Sequence, residues 1–181
     1  MKTCIYPGSF DPFTNGHLDI ALRAGKIFDR VVILISQNPL KGGRFIPAEC
    51  MKDAIYGALA EAGERGYVSD TEFMVDILNP GITVFDYMIE RGKYLNNCMN
   101  IIRGIRDGSD AIEEMRLSEQ YKWFSHHSRF EFIPLIAKPT LSSVSSTLVR
   151  VMTKHHIPLD EIPVPTAVAN LIGKEHKNEV R

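Results

Sequence analysis

The chain predicts an α/β fold, an open, parallel, Rossmann-like sheet of five strands with helices on both faces. Three observations carry that reading. Short β-branched and aromatic runs alternate about five times with longer segments of helical periodicity, joined by short loops. Residues 31–35, Val-Val-Ile-Leu-Ile, are apolar without a break, as a strand covered on both faces must be. Proline stands where helices begin, at Pro47 and Pro165, and the pair Pro7-Gly8 closes the first short apolar run.

Each element follows in order. Residues 3–6, Thr-Cys-Ile-Tyr, read as a buried strand ended by Pro7-Gly8. Residues 16–28 read as a helix with Leu18, Ala21, Leu22 and Gly25 on one side. After the strand at 31–35, a helix from Pro47 to about residue 62 stacks Met51, Ile55 and Leu59 at four-residue spacing. Residues 73–77 form a strand, 83–91 a helix and 99–102 a fourth strand. A helix over 109–124 carries Ile112, Met115, Leu117 and Tyr121, and residues 130–136 give the fifth strand. Helices over 145–155 and 165–177 close the chain. We read residues 1–181 as one domain with a C-terminal helical segment at about 145–181.

Composition excludes several classes. With 181 residues, 44% hydrophobic and 24% charged, the chain is long enough to bury a core and unlike a disordered or fibrous sequence. Lys plus Arg number 21 against 22 Asp plus Glu, so a net charge of -1 supplies no global field for nucleic acid or an anionic membrane. Any anion site must be local. Nowhere do 18 apolar residues follow one another, and the first residues lack the apolar run and cleavage site of a secretory signal. A cytoplasmic protein is expected. Cys4, Cys50 and Cys98 are far apart and lack metal-site spacing, so they read as buried thiols. The pairs His126-His127 and His155-His156 are neighbours that would point about 100° apart on a helix, which suits surface residues better than metal ligands. No metal-ligating residue is assigned.

Open parallel sheets bind ligands beyond the carboxyl ends of their strands. The loop after the first strand, running from Tyr6 to His17, is turn-rich and delivers His17 into the first turn of the next helix. Unpaired N–H groups and the helix dipole favour an anion there. Gly8 and Gly16 remove side chains where a phosphate must approach backbone, Ser9 offers a hydroxyl and His17 a ring N–H.

The string Pro7-Gly8-Ser9-Phe10-Asp11-Pro12 with Thr14-Asn15-Gly16-His17 resembles the signature of the HxGH-type nucleotidyltransferases, in the form found in the phosphopantetheine adenylyltransferase family. Three further pieces resemble that family in the same order: Asn38-Pro39-Leu40-Lys41 after the second strand, Arg103-Gly104-Ile105-Arg106 after the fourth, and Val144-Ser145-Ser146-Thr147-Leu148-Val149-Arg150 opening a helix. The resemblance implies attack of the phosphate of 4'-phosphopantetheine on the α-phosphorus of ATP, giving dephospho-coenzyme A and pyrophosphate with Mg²⁺. It further implies a homohexamer and inhibition by coenzyme A. By the same resemblance, catalysis falls to His17, Lys41, Ser9 and Arg106. ATP would be held by Gly8, Ser9, Phe10, Gly16, His17, Gly104, Arg106, Glu114, Ser145, Ser146 and Thr147, and the acceptor by Ser9, Lys41, Ile82, Thr83 and Arg103.

The residues suit that chemistry. A phosphate monoester with a second pKa of about 6 is largely dianionic at neutral pH, so its attack needs no general base. What remains is electrostatic: His17, Lys41, the two arginines, the hydroxyls and two helix N-termini match charge on the transferring group. Three departures from the family pattern stand out: Ala111 and Ile112 replace an aromatic and an acid, which bears on the base and interface contacts, Leu141 stands where a tryptophan is common, and the stretch 47–103, which would wall the pantetheine arm of the acceptor, is longer than usual. Two alternatives stay open, a sibling transferase using another phosphomonoester and a nucleotide or coenzyme A binding protein without turnover.

Overall fold

The computed structural model describes residues 1–36, 43–67, 70–92, 100–124 and 131–179. Five strands, β1 (Thr3–Gly8), β2 (Arg30–Ile35), β3 (Glu72–Ile77), β4 (Asn100–Ile105) and β5 (Glu131–Ile136), form an all-parallel sheet in the order β3-β2-β1-β4-β5. The crossovers are α1 (Asn15–Ala24), α2 (Ala48–Glu64), α3 (Val84–Gly92) and α4 (Gly108–Phe124). A 3₁₀ turn, Pro139–Leu141, leads into α5 (Ser146–Lys154), and α6 (Thr166–Glu179) follows.

Alternation along the strands builds two apolar layers. Cys4, Tyr6, Val31, Ile33, Ile35 and Ile102 face one side, where Met51, Ile55 and Leu59 of α2 and Val168 and Ile172 of α6 complete the larger core. Ile5, Val32, Leu34 and Ile101 face the other, against Tyr87 and Met88 of α3. This two-sided burial is why the second strand is apolar throughout.

The chain order reverses between β1 and β4, and there the sheet opens. β1 pairs with β2 from Thr3↔Arg30 to Gly8↔Ile35, but with β4 only at Cys4↔Asn100 and Ile5↔Ile101. The expectation that Pro7-Gly8 ends the strand is corrected, because pairing to β2 continues through both. Gly8 turns its carbonyl to the β2 side, where Ser36 N–H donates at 2.8 Å, so Pro7 faces β4. Lacking an N–H, Pro7 cannot extend the ladder on that side. The two strands therefore part at the switch point, where such sheets bind ligands. β4 also runs longer than predicted, pairing with β5 through Ile105↔Ile136, so Arg103 and Gly104 belong to the strand and not to the loop after it.

Two helices differ from the sequence reading. α1 ends at Ala24 and buries Asp19, Ile20, Ala21 and Ala24, with Leu18 and Leu22 only partly covered. Asp19 turns inward because two cations meet it: Arg23 Nη1 at 3.2 Å and Lys138 Nζ at 2.6 Å, while the same Arg23 nitrogen donates to the Ile136 carbonyl at 2.7 Å. These bonds tie α1 to the end of β5. On α4, Ile112 and Met115 are 55% and 65% exposed, so its apolar periodicity marks a helix but not a buried one. Cys4 is buried and Cys50 half-buried, a correction to the expectation that both are enclosed, and Cys98 lies outside the described residues. His155 and His156 are exposed as expected, whereas His126 and His127 lie outside the described residues.

Asp19→Asn should lower unfolding stability by about 1–2 kcal/mol in urea denaturation, the scale of a charge-assisted bond reduced by the exposure of Lys138 and Arg23. The loss should shrink in high salt. Equal stability of the two proteins at low salt would show that the tie does not hold α1.

Candidate active site

A cleft of about 900 Å³ opens where β1 and β4 part. It is lined by residues 6–11, by the first turns of α1 and α5, by β4 with α4, and by Arg44, Phe45 and Pro80. The volume lies at the upper end of small-ligand sites.

The end of β1 and the loop after it present carbonyl oxygens that no strand can satisfy, and side chains take nearly all of them. Arg103 Nη1 donates to Pro7 O at 2.7 Å, Arg44 Nη1 to Ser9 O at 2.9 Å, Arg44 Nη2 to Phe10 O at 3.3 Å, Arg150 Nη1 to Asp11 O, and Ser146 Oγ to Pro12 O at 2.8 Å. Asp11 in turn accepts from the N–H groups of Phe45 and Ile46 at 2.9 and 3.0 Å. Phe10 adopts φ +44°, a left-handed conformation unusual for a bulky residue. Its ring is buried against Tyr6, Phe13 and His17, and Phe10, expected at ATP, is among the residues that line the cleft. Gly8 is required by that ring, since a Cβ would lie 2.7 Å from it. A Cβ at Gly16 would make only ordinary contacts, nearest 3.6 Å, so the protein itself leaves that position open to a ligand.

His17 is the third residue of α1, and Thr14 is the N-cap. The Thr14 N–H donates to His17 Nδ1 at 3.0 Å, with Thr14 Oγ1 3.1 Å from the same nitrogen. Because a backbone N–H can only donate, Nδ1 is unprotonated and the neutral ring carries its proton on Nε2. Burial pushes the ring's pKa down to about 4, and the positive charges of Arg106 and Arg103 push the same way. At neutral pH His17 is an uncharged Nε2–H donor in a cleft lined by its ring. Tyr6 lies beneath, and its phenol is held protonated, raised chiefly by burial.

Each arginine of the motif is held by an acid. Arg103 forms a bidentate pair with Glu114, Nε at 2.8 and 2.9 Å and Nη2 at 2.5 Å from the carboxylate oxygens. Glu114, expected at ATP, therefore acts on Arg103. Arg106 pairs with Asp110 through Nε at 2.7 Å and Nη2 at 2.9 Å, which raises its pKa and lowers that of Asp110. These bonds leave Nη1 of Arg106 without a described partner, on a side chain 42% exposed.

The serine element is partly corrected. Ser145 caps α5 by accepting from Leu148 N–H at 3.1 Å, and Thr147 accepts from Arg150 at 3.1 Å, so both keep an O–H to donate. Ser146 has given its O–H to Pro12, so its hydroxyl is not left to donate into the cleft. Ser9 is exposed at the cleft, and Gly104 lets β4 pass close to Ile20 while lining the cleft. Ile82 and Thr83 are not among the residues that line the cleft: Thr83 is exposed and tied to Asp86 at the start of α3, while Pro80 lines it. Lys41 lies outside the described residues. The sequence reading gave no role to Arg44 or Asp11. A cation between β2 and α2, on the ligand edge of the sheet, was the available signal.

Comparison with known proteins fits this geometry. Residues 5–53 match the family model described as cytidylyltransferase-like. The chain superposes on a nicotinic acid mononucleotide adenylyltransferase from Plasmodium falciparum, solved with NaAD, with a TM-score of 0.65 over 97% of this chain and 96% of that one at 12% identity. A putative nicotinate-nucleotide adenylyltransferase from Vibrio parahaemolyticus gives 0.60 over 96% and 93% at 14% identity. The fold is thus that of the Rossmann-like nucleotidyltransferases. In sequence, the chain is 31% identical to a phosphopantetheine adenylyltransferase of Psychromonas ingrahamii, over 98% of this chain and 99% of the relative, and 34% identical to that of Alkaliphilus metalliredigens, over 97% and 99%. The chain belongs to the phosphopantetheine adenylyltransferase family.

The His17 imidazole, assigned by its loss in His17→Asn, should titrate by NMR with a midpoint near 4 in the free protein. The folded ring then binds its proton more weakly than the unfolded one, whose pKa is about 6.5, so His17 makes stability rise with pH between about 4 and 6.5. A midpoint above 7 would contradict the neutral donor.

Proposed function

We propose that the protein transfers AMP from ATP to 4'-phosphopantetheine, yielding dephospho-coenzyme A and pyrophosphate. The observation that carries this reading is the neutral Nε2–H of His17 beside two helix N-termini, α1 and α5, on one cleft. An acceptor phosphate oxygen attacks the α-phosphorus as the bond to the β-phosphate oxygen breaks and pyrophosphate leaves. The dianion is already the nucleophile, so His17 donates to an α-phosphate oxygen and removes no proton. Arg106, with Nη1 turned free of Asp110, serves the triphosphate together with the first turn of α5 and the hydroxyls of Ser145 and Thr147. Arg103, aimed by Glu114 and Pro7 O, serves the acceptor phosphate with Ser9 and Lys41.

When bound with ATP, Mg²⁺ would supply neutralisation of triphosphate charge. Among the described residues no group of three or more His, Cys, Asp or Glu could hold a metal, and Mg²⁺ commonly binds one or two carboxylates plus substrate phosphates. On the cleft wall Asp110 and Glu114 are committed to arginines while Glu113 is exposed, a donor set that suits a metal arriving with ATP. Coenzyme A, which shares the pantetheine arm and adenylate of the product, would compete as an inhibitor. A cytoplasmic homohexamer completes the reading. The exposed Ile112, Met115 and Ile136 support association of copies, and no described helix is long and apolar enough to cross a membrane.

Pyrophosphate release should require ATP, Mg²⁺ and 4'-phosphopantetheine together. His17→Ala should cut kcat about 10²- to 10³-fold, the loss expected for one preorganised donor, with little change in ATP affinity. Turnover with glycerol phosphate and CTP, but none with phosphopantetheine, would assign the cleft to a sibling reaction.

Calorimetry separates the two ends of the site. Arg106→Ala should weaken ATP more than phosphopantetheine and Arg103→Ala the reverse, each by about ten- to a hundredfold. If both variants lose only ATP affinity, the acceptor end is misplaced.

A further inference from the structure

The loop lining the cleft is governed by a residue that none of the sequence motifs includes. Arg44 stands between β2 and α2, its side chain 16% exposed, and each of its three guanidinium nitrogens donates a hydrogen bond. Nη1 and Nη2 take the consecutive carbonyls of Ser9 and Phe10, Nε takes Ile46 O at 2.9 Å, and Asp11 Oδ1 lies 3.7 Å from Nη2. The Asp11 carboxylate returns the link by accepting from Phe45 and Ile46 N–H. Two segments more than 30 residues apart are thus bolted together in both directions.

We infer that Arg44 is a positioning residue for adenylyl transfer, holding the Ser9–Phe10 turn so that Ser9 and His17 meet the phosphates in register. Three observations support it. The two carbonyls flank the left-handed Phe10, a turn a bulky residue does not keep unaided, and a planar fork can bridge both where a single donor reaches one. The Phe10 ring meets the His17 ring edge-on at 5.1 Å, so a shift of the turn moves the donor. Both oxygens belong to the loop beneath the phosphate site. Their binding to Arg44 turns them from the anion and sets a positive charge behind the loop, which burial only partly opposes.

The inference rests on the transfer reaction above, so its test has an arm independent of turnover. Arg44→Met keeps the stem and removes the donors, while Arg44→Lys keeps the charge without the fork. With ATP and phosphopantetheine, Arg44→Met should lose about 10- to 100-fold in kcat, the scale of a misplacement near 1 Å, with KM for ATP within about threefold. Arg44→Lys should recover less than about a tenth of that loss. In a cycle with Ser9→Ala the losses should be less than additive, because a misplaced hydroxyl that is absent costs nothing more. Amide exchange over residues 9–13, read by mass spectrometry in the free protein, should quicken at least about tenfold in either variant. Unchanged exchange overturns the inference whatever the acceptor proves to be. So do wild-type kcat in Arg44→Met, full recovery in Arg44→Lys, or additive losses that would make Arg44 a direct ligand of substrate. Should Arg44→Met fail to fold, the exchange and the cycle are read in Arg44→Lys, with the same outcomes deciding.

Discussion

Past Ile5 the first strand has no strand partner on its β4 side, yet its backbone runs on through Pro7 into a loop whose carbonyls lie at the base of a cleft. Buried carbonyls must be paired, and an anion site must turn them away from its ligand. Both demands are met by reaching in from outside: Arg103, Arg44 and Arg150 with Ser146 take Pro7 O, Ser9 O, Phe10 O, Asp11 O and Pro12 O, and Ser36 N–H takes Gly8 O. The donors come from β4, from the segment before α2, and from α5. Closing the loop therefore also brings together the walls of the site.

The same arrangement sets the electrostatics. Using arginines to satisfy carbonyls leaves their charge in place, so the loop gains a positive surround without presenting free cations to one another. Arg103 and Arg106 are further neutralised by Glu114 and Asp110. In that surround a buried imidazole has two reasons to stay unprotonated, and the Thr14 N–H on Nδ1 fixes which nitrogen keeps the proton. A charged His17 would attract phosphate more strongly but would also bind its ground state more strongly. In the proposed transfer a neutral donor would favour the charge that develops over the charge already present in the ground state.

The fold positions these parts with few specialised devices. Pro7 stops one ladder and permits the other, and Asp19 ties α1 to the start of the 3₁₀ turn before α5 through Lys138. The two helix N-termini are thereby held at the cleft. The helix α4, which also lines it, leaves Ile112 and Met115 uncovered, so its place in the site depends on the pairs Glu114–Arg103 and Asp110–Arg106 more than on apolar packing.

Local chemistry alone determined the five strands, the helices between them, the parallel class and the placing of His17 at a helix start. Period, proline position and an uninterrupted apolar run are properties of neighbouring residues, and these elements depend on little else. His17, Arg106, Ser145 and Thr147, each in a contiguous motif, were picked out for the same reason, and the structure lines one cleft with them. What the row of residues did not reveal was which groups each side chain would meet. Asp19 turned inward because Lys138 reached it from the far end of β5, and Glu114 went to Arg103 because α4 folds back along β4. Gly8 proved to be reserved for the Phe10 ring, Ile82 and Thr83 stayed out of the cleft lining, and Arg44 found carbonyls 34 and 35 positions away. Those outcomes belong to the tertiary structure because carbonyl satisfaction and ion pairing are settled by distances of about 3 Å, which only the packing of the elements brings into being.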